Sequence, residues 1–149
     1  MQLSESISAI LKQKGGLVCS ISPTSSVYDA IAKMAEKQVG ALLVVVQGKI
    51  VGIISERDYA RKVILKGRSS KDTSVSEIMS SPVIAVSPEH TVGECMKIIT
   101  DHRIRHLPVL AQERLVGVIS IGDLVNWIIS AQNETIRHLE AYISGTPTL

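Results

Sequence analysis

The chain repeats itself. Residues 18–59 align with residues 83–124 at a constant offset of 65 without a gap, and twelve of the paired positions are identical. The identities are Val18, Ser22, Pro23, Val27, Leu42, Val44, Gln47, Val51, Gly52, Ile54, Ser55 and Asp58 with their partners, and eleven further pairs exchange one apolar residue for another. A duplication of this kind constrains the fold more than any single motif, because each copy is one supersecondary unit that must bury its apolar face against a neighbour. A unit of this size is too small to hold a core alone, so the pair is the folding domain.

Each copy reads as β-α-β-β-α. In the first, residues 18–21 predict a strand, Ser22-Pro23 breaks it, and Ser25 or Ser26 caps a helix that carries Val27, Ala30, Ile31 and Met34 on one face and ends at Gly40. Residues 41–46 and 50–55 are apolar runs of β-branched type joined by Gln47-Gly48, a hairpin signal, and a second helix starts near Glu56 and runs through Tyr59, Val63 and Ile64 to Gly67. Residues 68–74 are polar and aperiodic and read as a connecting loop. The order then recurs: residues 83–86 predict a strand, Val92, Cys95, Met96 and Ile99 a helix, residues 106–110 and 114–120 a hairpin, and a last helix begins near Ile121. Ahead of both copies Leu3, Ile7, Ile10 and Leu11 mark a short amphipathic helix over residues 3–14, stopped by Gly15-Gly16. The last helix overruns its copy, carrying an apolar stripe through Val125, Ile129, Ile136, Leu139 and Tyr142 toward Gly145, and an uncovered stripe usually marks a partner surface. The expected division is 1–16 for the N-terminal helix and linker, 17–67 for repeat 1, 68–79 for the connecting segment, 80–128 for repeat 2, and 129–149 for the extended helix and tail.

Composition narrows the function. Apolar residues are 45% of the chain while Phe is absent and aromatics are 3%, so the core is built from Val, Ile, Leu, Ala and Met, which favours sheet packed by helices over aromatic stacking platforms. Sixteen Lys and Arg against fourteen Asp and Glu give a net charge of +2, too balanced to mark a nucleic-acid binder by its field. Cys19 and Cys95 lack the spacing of a disulfide framework or a zinc site and read as small core residues. His90, His102 and His138 have no ligand-spaced neighbours, and no nucleophile–base pair, paired-acid or metal constellation appears, so neither an enzyme nor a metal site is expected. The first residues lack a charged start followed by an apolar stretch, and no apolar run approaches a membrane span, which makes a cytoplasmic setting without membrane the default expectation.

The residues most able to carry chemistry lie in Gly52-Ile53-Ile54-Ser55-Glu56-Arg57-Asp58 and its echo Gly117-Val118-Ile119-Ser120-Ile121-Gly122-Asp123. One reading is structural: Ser-x-x-Asp at a helix start is nearly a capping box, contributing about 1 kcal/mol. The other is that the aspartate offers two acceptor oxygens to the vicinal hydroxyls of a ribose while the serine and helix-end amides face a phosphate. Capping alone leaves the glycine of both copies unexplained, since glycine inside a strand often marks close backbone approach.

Two β-α-β-β-α units with V-x-x-V-S-P near the start of the second, R-H-L-P-V on its middle strand and G-h-h-S-x-x-D (h, an apolar residue) at the second helix of each resemble the cystathionine β-synthase (CBS) domain pair, or Bateman module, over residues 17–128. The resemblance implies an α+β fold in which tandem repeats pack sheet to sheet through three-stranded sheets with pseudo-two-fold symmetry, leaving two clefts for adenosine-containing ligands. It implies further that Asp58 and Asp123 hold ribose hydroxyls, that Ser55 and Ser120 contact ribose or phosphate, and that adenine lies against backbone at Thr73, Val75 and Val83 in one cleft and at Gly16 and Val18 in the other. The expected ligands are AMP, ADP, ATP or NAD(H), acting as regulators. Family habit also implies a homodimer.

The two ends differ in their cations. Repeat 2 carries Arg103, Arg105 and His106 where repeat 1 has Gln38, Gly40 and Ala41, whereas repeat 1 has Arg57 where repeat 2 has Gly122. Such a cluster at a helix-to-strand corner suits phosphate, Arg especially through paired donors, or else forms a solvated rim. Lys71 lies near enough in sequence to the first motif to reach a ligand phosphate. The expectation is an adenine-nucleotide sensor with unequal sites that signals through its dimer to an unidentified effector protein; the alternative is a ligand-free dimerisation module.

Overall fold

The computed structural model describes residues 2–15 and 18–144. After a 3-10 turn at Gln2–Ser4, the elements in chain order are α1 (Ser8–Lys14), β1 (Ser20–Ile21), α2 (Val27–Lys37), β2 (Ala41–Val46), β3 (Lys49–Ser55), α3 (Glu56–Tyr59) continuing as a π turn at Ala60–Ile64, α4 (Val75–Ile78), α5 (Val92–His102), β4 (His106–Ala111), β5 (Arg114–Ser120) and α6 (Ile121–Ser144). The chain divides into two compact units, Leu17–Ile84 and Met1–Gly16 with Ala85–Leu149.

In the Leu17–Ile84 unit the sheet order is β1-β2-β3, with β1 parallel to β2 and β2 antiparallel to β3. Gln47 and Gly48 both take positive φ (50° and 77°), the backbone a tight two-residue hairpin requires. Ser26 caps α2 by accepting from the Asp29 N–H (3.0 Å), and Val27, Ala30 and Met34 then face Leu42, Val44 and Ile54 in one buried cluster. Two expectations shift here. The helix ends at Lys37 because Gln38, not Gly40, is its left-handed residue; Gly40 leads into β2, and its carbonyl accepts from the Glu56 N–H (3.1 Å). The segment 68–79 is more than a connector. Ser74 and Glu77 form a capping box for α4, whose Val75 and Ile78 enter the same core, while the Thr73 carbonyl accepts from the Val27 N–H and the Val75 N–H donates to the Ser25 carbonyl, both at 2.8 Å.

In the other unit the hairpin β4-β5 repeats the first, and its turn places Gln112 and Glu113 at φ 51° and 66°. The strand expected at residues 83–86 is reduced to one parallel bridge, Val86 with Val109, in which Val86 donates to the Pro108 carbonyl (3.0 Å) and accepts from the Leu110 N–H (2.8 Å). Offset by 65, Pro108 takes the place of Leu43, whose N–H donates to the Cys19 carbonyl (3.1 Å) in the first copy. Proline has no N–H to give, so the rung is lost and the sheet stays two-stranded.

The helix expected over 3–14 starts at Ser8. Ser6 bridges Thr91, the Ile7 N–H donates to the His90 carbonyl and the Val92 N–H to the Glu5 carbonyl (both 2.9 Å), so the backbone ahead of Ser8 is tied to residues 90–92 instead of continuing the helix, and Leu3 is 47% exposed. Ile7 and Ile10 are nonetheless buried with Val92, Cys95, Ile99, Leu107, Val109, Ile119 and Leu124. Burial, with the Glu94 charge adding to it, raises the Cys95 thiol to about 11, so it is an inert core residue; Cys19 is half-buried. Along α6, 24 residues long, Ile129, Ile136 and Leu139 are 49%, 51% and 58% exposed. No helix among the described residues is long and apolar enough to cross a membrane.

Candidate functional site

Both Ser-x-x-Asp motifs sit where a strand hands over to a helix. At the end of β3, the Ser55 hydroxyl accepts from the Asp58 N–H (3.2 Å) while Asp58 Oδ2 accepts from the Ser55 N–H and hydroxyl, each at 3.0 Å. At the end of β5, the Ser120 hydroxyl accepts from the Asp123 N–H (3.1 Å) and Asp123 Oδ2 from the Ser120 N–H (2.8 Å). The reciprocal cap is thus made in both copies, and register places Ala41 opposite Ser55 and His106 opposite Ser120.

The glycine two residues before each buried isoleucine has a cause of its own. A Cβ on Gly52 would lie 2.6 Å from Met79 Sδ and 3.1 Å from the Ser80 carbonyl oxygen, because Ser80 bridges Ile53 across β3. A Cβ on Gly117 would lie 2.7 Å from Leu11 Cδ2 of α1. The close approach foreseen for these positions is made by the chain's own segments.

Each carboxylate also has a lysine. Asp58 Oδ1 faces Lys62 Nζ at 3.2 Å, one turn along, and receives a long 3.4 Å contact from the Ser80 hydroxyl; Lys62 donates as well to the Ile78 carbonyl (2.9 Å). Asp123 Oδ2 faces Lys14 Nζ at 2.7 Å, from the last residue of α1, and Lys14 donates as well to the Val118 carbonyl (2.8 Å). Burial disfavours the Asp123 charge, but the Lys14 ammonium and the Ser120 amide outweigh it and hold the carboxyl below the ordinary aspartate range. Beside this pair lies a cavity of about 290 Å³ lined by Ile10, Gln13, Lys14, Asp123, Asn126, Trp127 and Ser130, with Trp127 Nε1 donating to Glu5 Oε2 at 3.1 Å.

The remaining expected site residues are distributed as follows. Arg103 is the exposed left-handed residue that ends α5, Arg105 is exposed with its carbonyl accepting from the Ile121 N–H (2.9 Å), and His106 is half-buried at the start of β4, so Arg105 and His106 adjoin the Ser120/Asp123 corner by backbone bond and register, and Arg103 precedes them by two residues. Arg57 is half-buried in the first turn of α3. Lys71 lies over the Tyr28 ring, 4.9 Å from its centroid. Thr73 is buried with its hydroxyl donating to the Ser69 carbonyl (2.7 Å), so its side chain, its carbonyl and the Val75 N–H are already engaged within the unit. Val18 and Val83 are half-buried, and Gly16 lies outside the described residues. Among the described residues no cluster of three or more His, Cys, Asp or Glu is arranged to hold a metal ion. Sequence reasoning missed Lys14, Lys62 and Ser80 as partners of the aspartates. Only Lys62 had a local signal, an acid and a lysine four residues apart on one helix.

Comparison with known proteins agrees with this architecture. The CBS-domain profile matches residues 18–65 and 75–130. The mitochondrial CBS domain-containing protein CBSX3 of Arabidopsis thaliana is 43% identical over 95% of this chain and 73% of its own length. The structure of a CBS-domain protein from Burkholderia ambifaria MC40-6 superimposes with a TM-score of 0.83 at 50% identity, covering 86% of this chain and 96% of that one. A hexameric CBS-CP12 protein from bloom-forming cyanobacteria does so with a TM-score of 0.74 at 31% identity, covering 81% of this chain and 69% of that one. Paired CBS repeats are non-catalytic regulatory modules, and this chain, with one repeat in each unit and a Ser-x-x-Asp corner in both, belongs to the CBS-domain family.

Proposed function

We propose that the chain senses an adenine nucleotide, AMP, ADP, ATP or an NAD-type dinucleotide, at one or both Ser-x-x-Asp corners and passes ligand state to a partner protein through the conformation of a dimer. The supporting observation is the geometry of the two aspartates. Backbone capping uses only Oδ2 at each corner, and the remaining acceptor sites of the partly buried carboxylate, which face Lys62 and the Ser80 hydroxyl at Asp58 and Lys14 at Asp123, are what a ribose diol needs. CBS domains typically take adenosine ligands. On this reading Ser55 and Ser120 contact ribose or phosphate, Arg57 and Lys71 serve phosphate at one end and Arg103, Arg105 and His106 at the other, and the backbone at Thr73, Val75 and Val83 shapes the adenine pocket beside Asp58. Residues 17–67 and 80–128 are then the two sensing repeats, 68–79 their connector, and 129–149 the extension that carries the signal. A ligand biases two arrangements only by its differential affinity for them, and micromolar binding, about 8 kcal/mol, is ample for a bias of a few.

Isothermal calorimetry with a panel of adenine nucleotides tests this. Micromolar binding is expected, with Asp123→Asn weakening it at least tenfold while the fold is retained. Absence of heat and of any melting shift with every nucleotide refutes it. A second reading, a dimerisation module whose corners are caps alone, is favoured by the completeness of both caps. It predicts that Asp123→Asn lowers the melting temperature and changes nothing else. The exposed apolar face of α6 supports self-association, which light scattering at micromolar concentration checks by mass.

A further inference from the structure

The lysines on the two aspartates are not equivalent. Lys62 belongs to the same helical segment as Asp58, whereas Lys14 reaches Asp123 across 109 residues of sequence, from the C-terminal end of α1. Its ammonium sits on the oxygen that also takes the Ser120 amide, and its side chain is 39% exposed. Behind it, α1 is fixed by buried Ile7 and Ile10 and by Leu11 against Gly117, so Lys14 can swing into water without its helix moving.

An ammonium and a ribose hydroxyl are both donors, and a diol that uses both carboxylate oxygens has to compete with Lys14 for Oδ2, which already takes the Ser120 amide. We propose that Lys14 is the gate of the Asp123 site: without ligand its ammonium is the resident counter-ion of Asp123, and a ribose enters by displacing it. The gate rests on the sensor reading above and adds regulation to it. It makes α1 a determinant of affinity at one corner only, and it gives the cavity wall formed by Trp127, beside Lys14 and Asp123, a role as reporter, since Trp127 is the single tryptophan of the chain.

The experiment combines calorimetry with Trp127 emission, using AMP and adenosine as probes on the wild type, Lys14→Met and Lys14→Arg. If no adenine nucleotide binds the wild type, the sensor reading fails, and the gate with it. If AMP binds, Lys14→Met is expected to tighten binding at the Trp127-reporting site roughly three- to tenfold, the scale of a partly exposed ion pair, and Lys14→Arg to leave it unchanged or weaker. Unchanged or weaker binding by Lys14→Met overturns the gate while leaving the sensor standing, as does AMP heat without any change in Trp127 emission. Adenosine keeps the proposal testable should Lys14→Met fold poorly, because it carries no phosphate. On the wild type its affinity is expected to rise as KCl goes from about 0.05 to 0.5 M and the ion pair is screened. A flat or falling salt response, or no adenosine binding where AMP binds, means that the site does not hold ribose at the expense of Lys14.

Discussion

At Asp58 the covering segment follows its own repeat directly: Met79 and Ser80 cross Gly52, and Lys62 comes from the next turn of the same helical segment. At Asp123 the corresponding cover is α1, with Leu11 over Gly117 and Lys14 on the carboxylate. One motif has therefore been finished in two ways, once with backbone paired into the sheet and once with a helix that touches by side chains. Duplication kept the corner and left its cover free to diverge, and the covers decide how each corner responds to change.

The sharpest break in this comparison is expected at the glycines. Gly52→Ala pushes a methyl against Met79 and against the Ser80 carbonyl, which accepts from the Ile53 N–H (3.1 Å) while the Ser80 N–H donates to the Ile53 carbonyl (2.9 Å), and should cost about 1–3 kcal/mol in chemical denaturation. Gly117→Ala meets only the flexible end of Leu11, and the loss of unfolded-state freedom offsets the contact, so its expected effect is within about 1 kcal/mol of zero. Equal losses at the two positions would show that the covers are equally rigid.

The caps come next. Ser120→Ala removes the acceptor of the Asp123 N–H and should cost about 0.5–2 kcal/mol; Ser55→Ala should cost at least as much, because its hydroxyl also donates to Asp58. Urea midpoints of the two variants check the order.

The smallest effect is that of pH. The folded carboxyl of Asp123 lies below its unfolded value, so its contribution is present above the ordinary value of about 3.9 and is lost as pH falls through the folded one. Asp123→Asn should make the acid limb of thermal stability shallower without abolishing it, since Glu77, bonded by the Ser74 amide, and Glu94, bonded by the Thr91 amide, are lowered too. An unaltered limb would show that Lys14 does not stabilise the charge.

Much of this was legible in the residues. The offset of 65 located both hairpins and both corners, because β-branched runs, a two-residue turn and a Ser-x-x-Asp cap are local signals. The turn of α4 carried a signal as well, Ser74 with Glu77 three residues on, but it stood in a polar stretch without periodicity. The loss of a strand at residues 83–86 depends on Pro108, more than 20 residues away, and the truncation of the first helix on a pairing between Ser6 and Thr91. The partner of Asp123 had no local trace, since an ion pair spanning 109 residues exists only once the fold is built.

That span has a consequence for how the chain folds. Leu17–Ile84 is a continuous segment, so its own contacts can begin to form as soon as it is made. Its companion unit is interrupted: Ile7 and Ile10 are synthesised first and must wait, tethered across the whole first repeat, for Val92, Ile99 and Ile119. Closing so long a loop is entropically expensive only once, but it makes the companion unit the higher in contact order and the later to form. The first repeat is in effect an insertion in the second unit, and the N-terminal helix is the strap fastened across it.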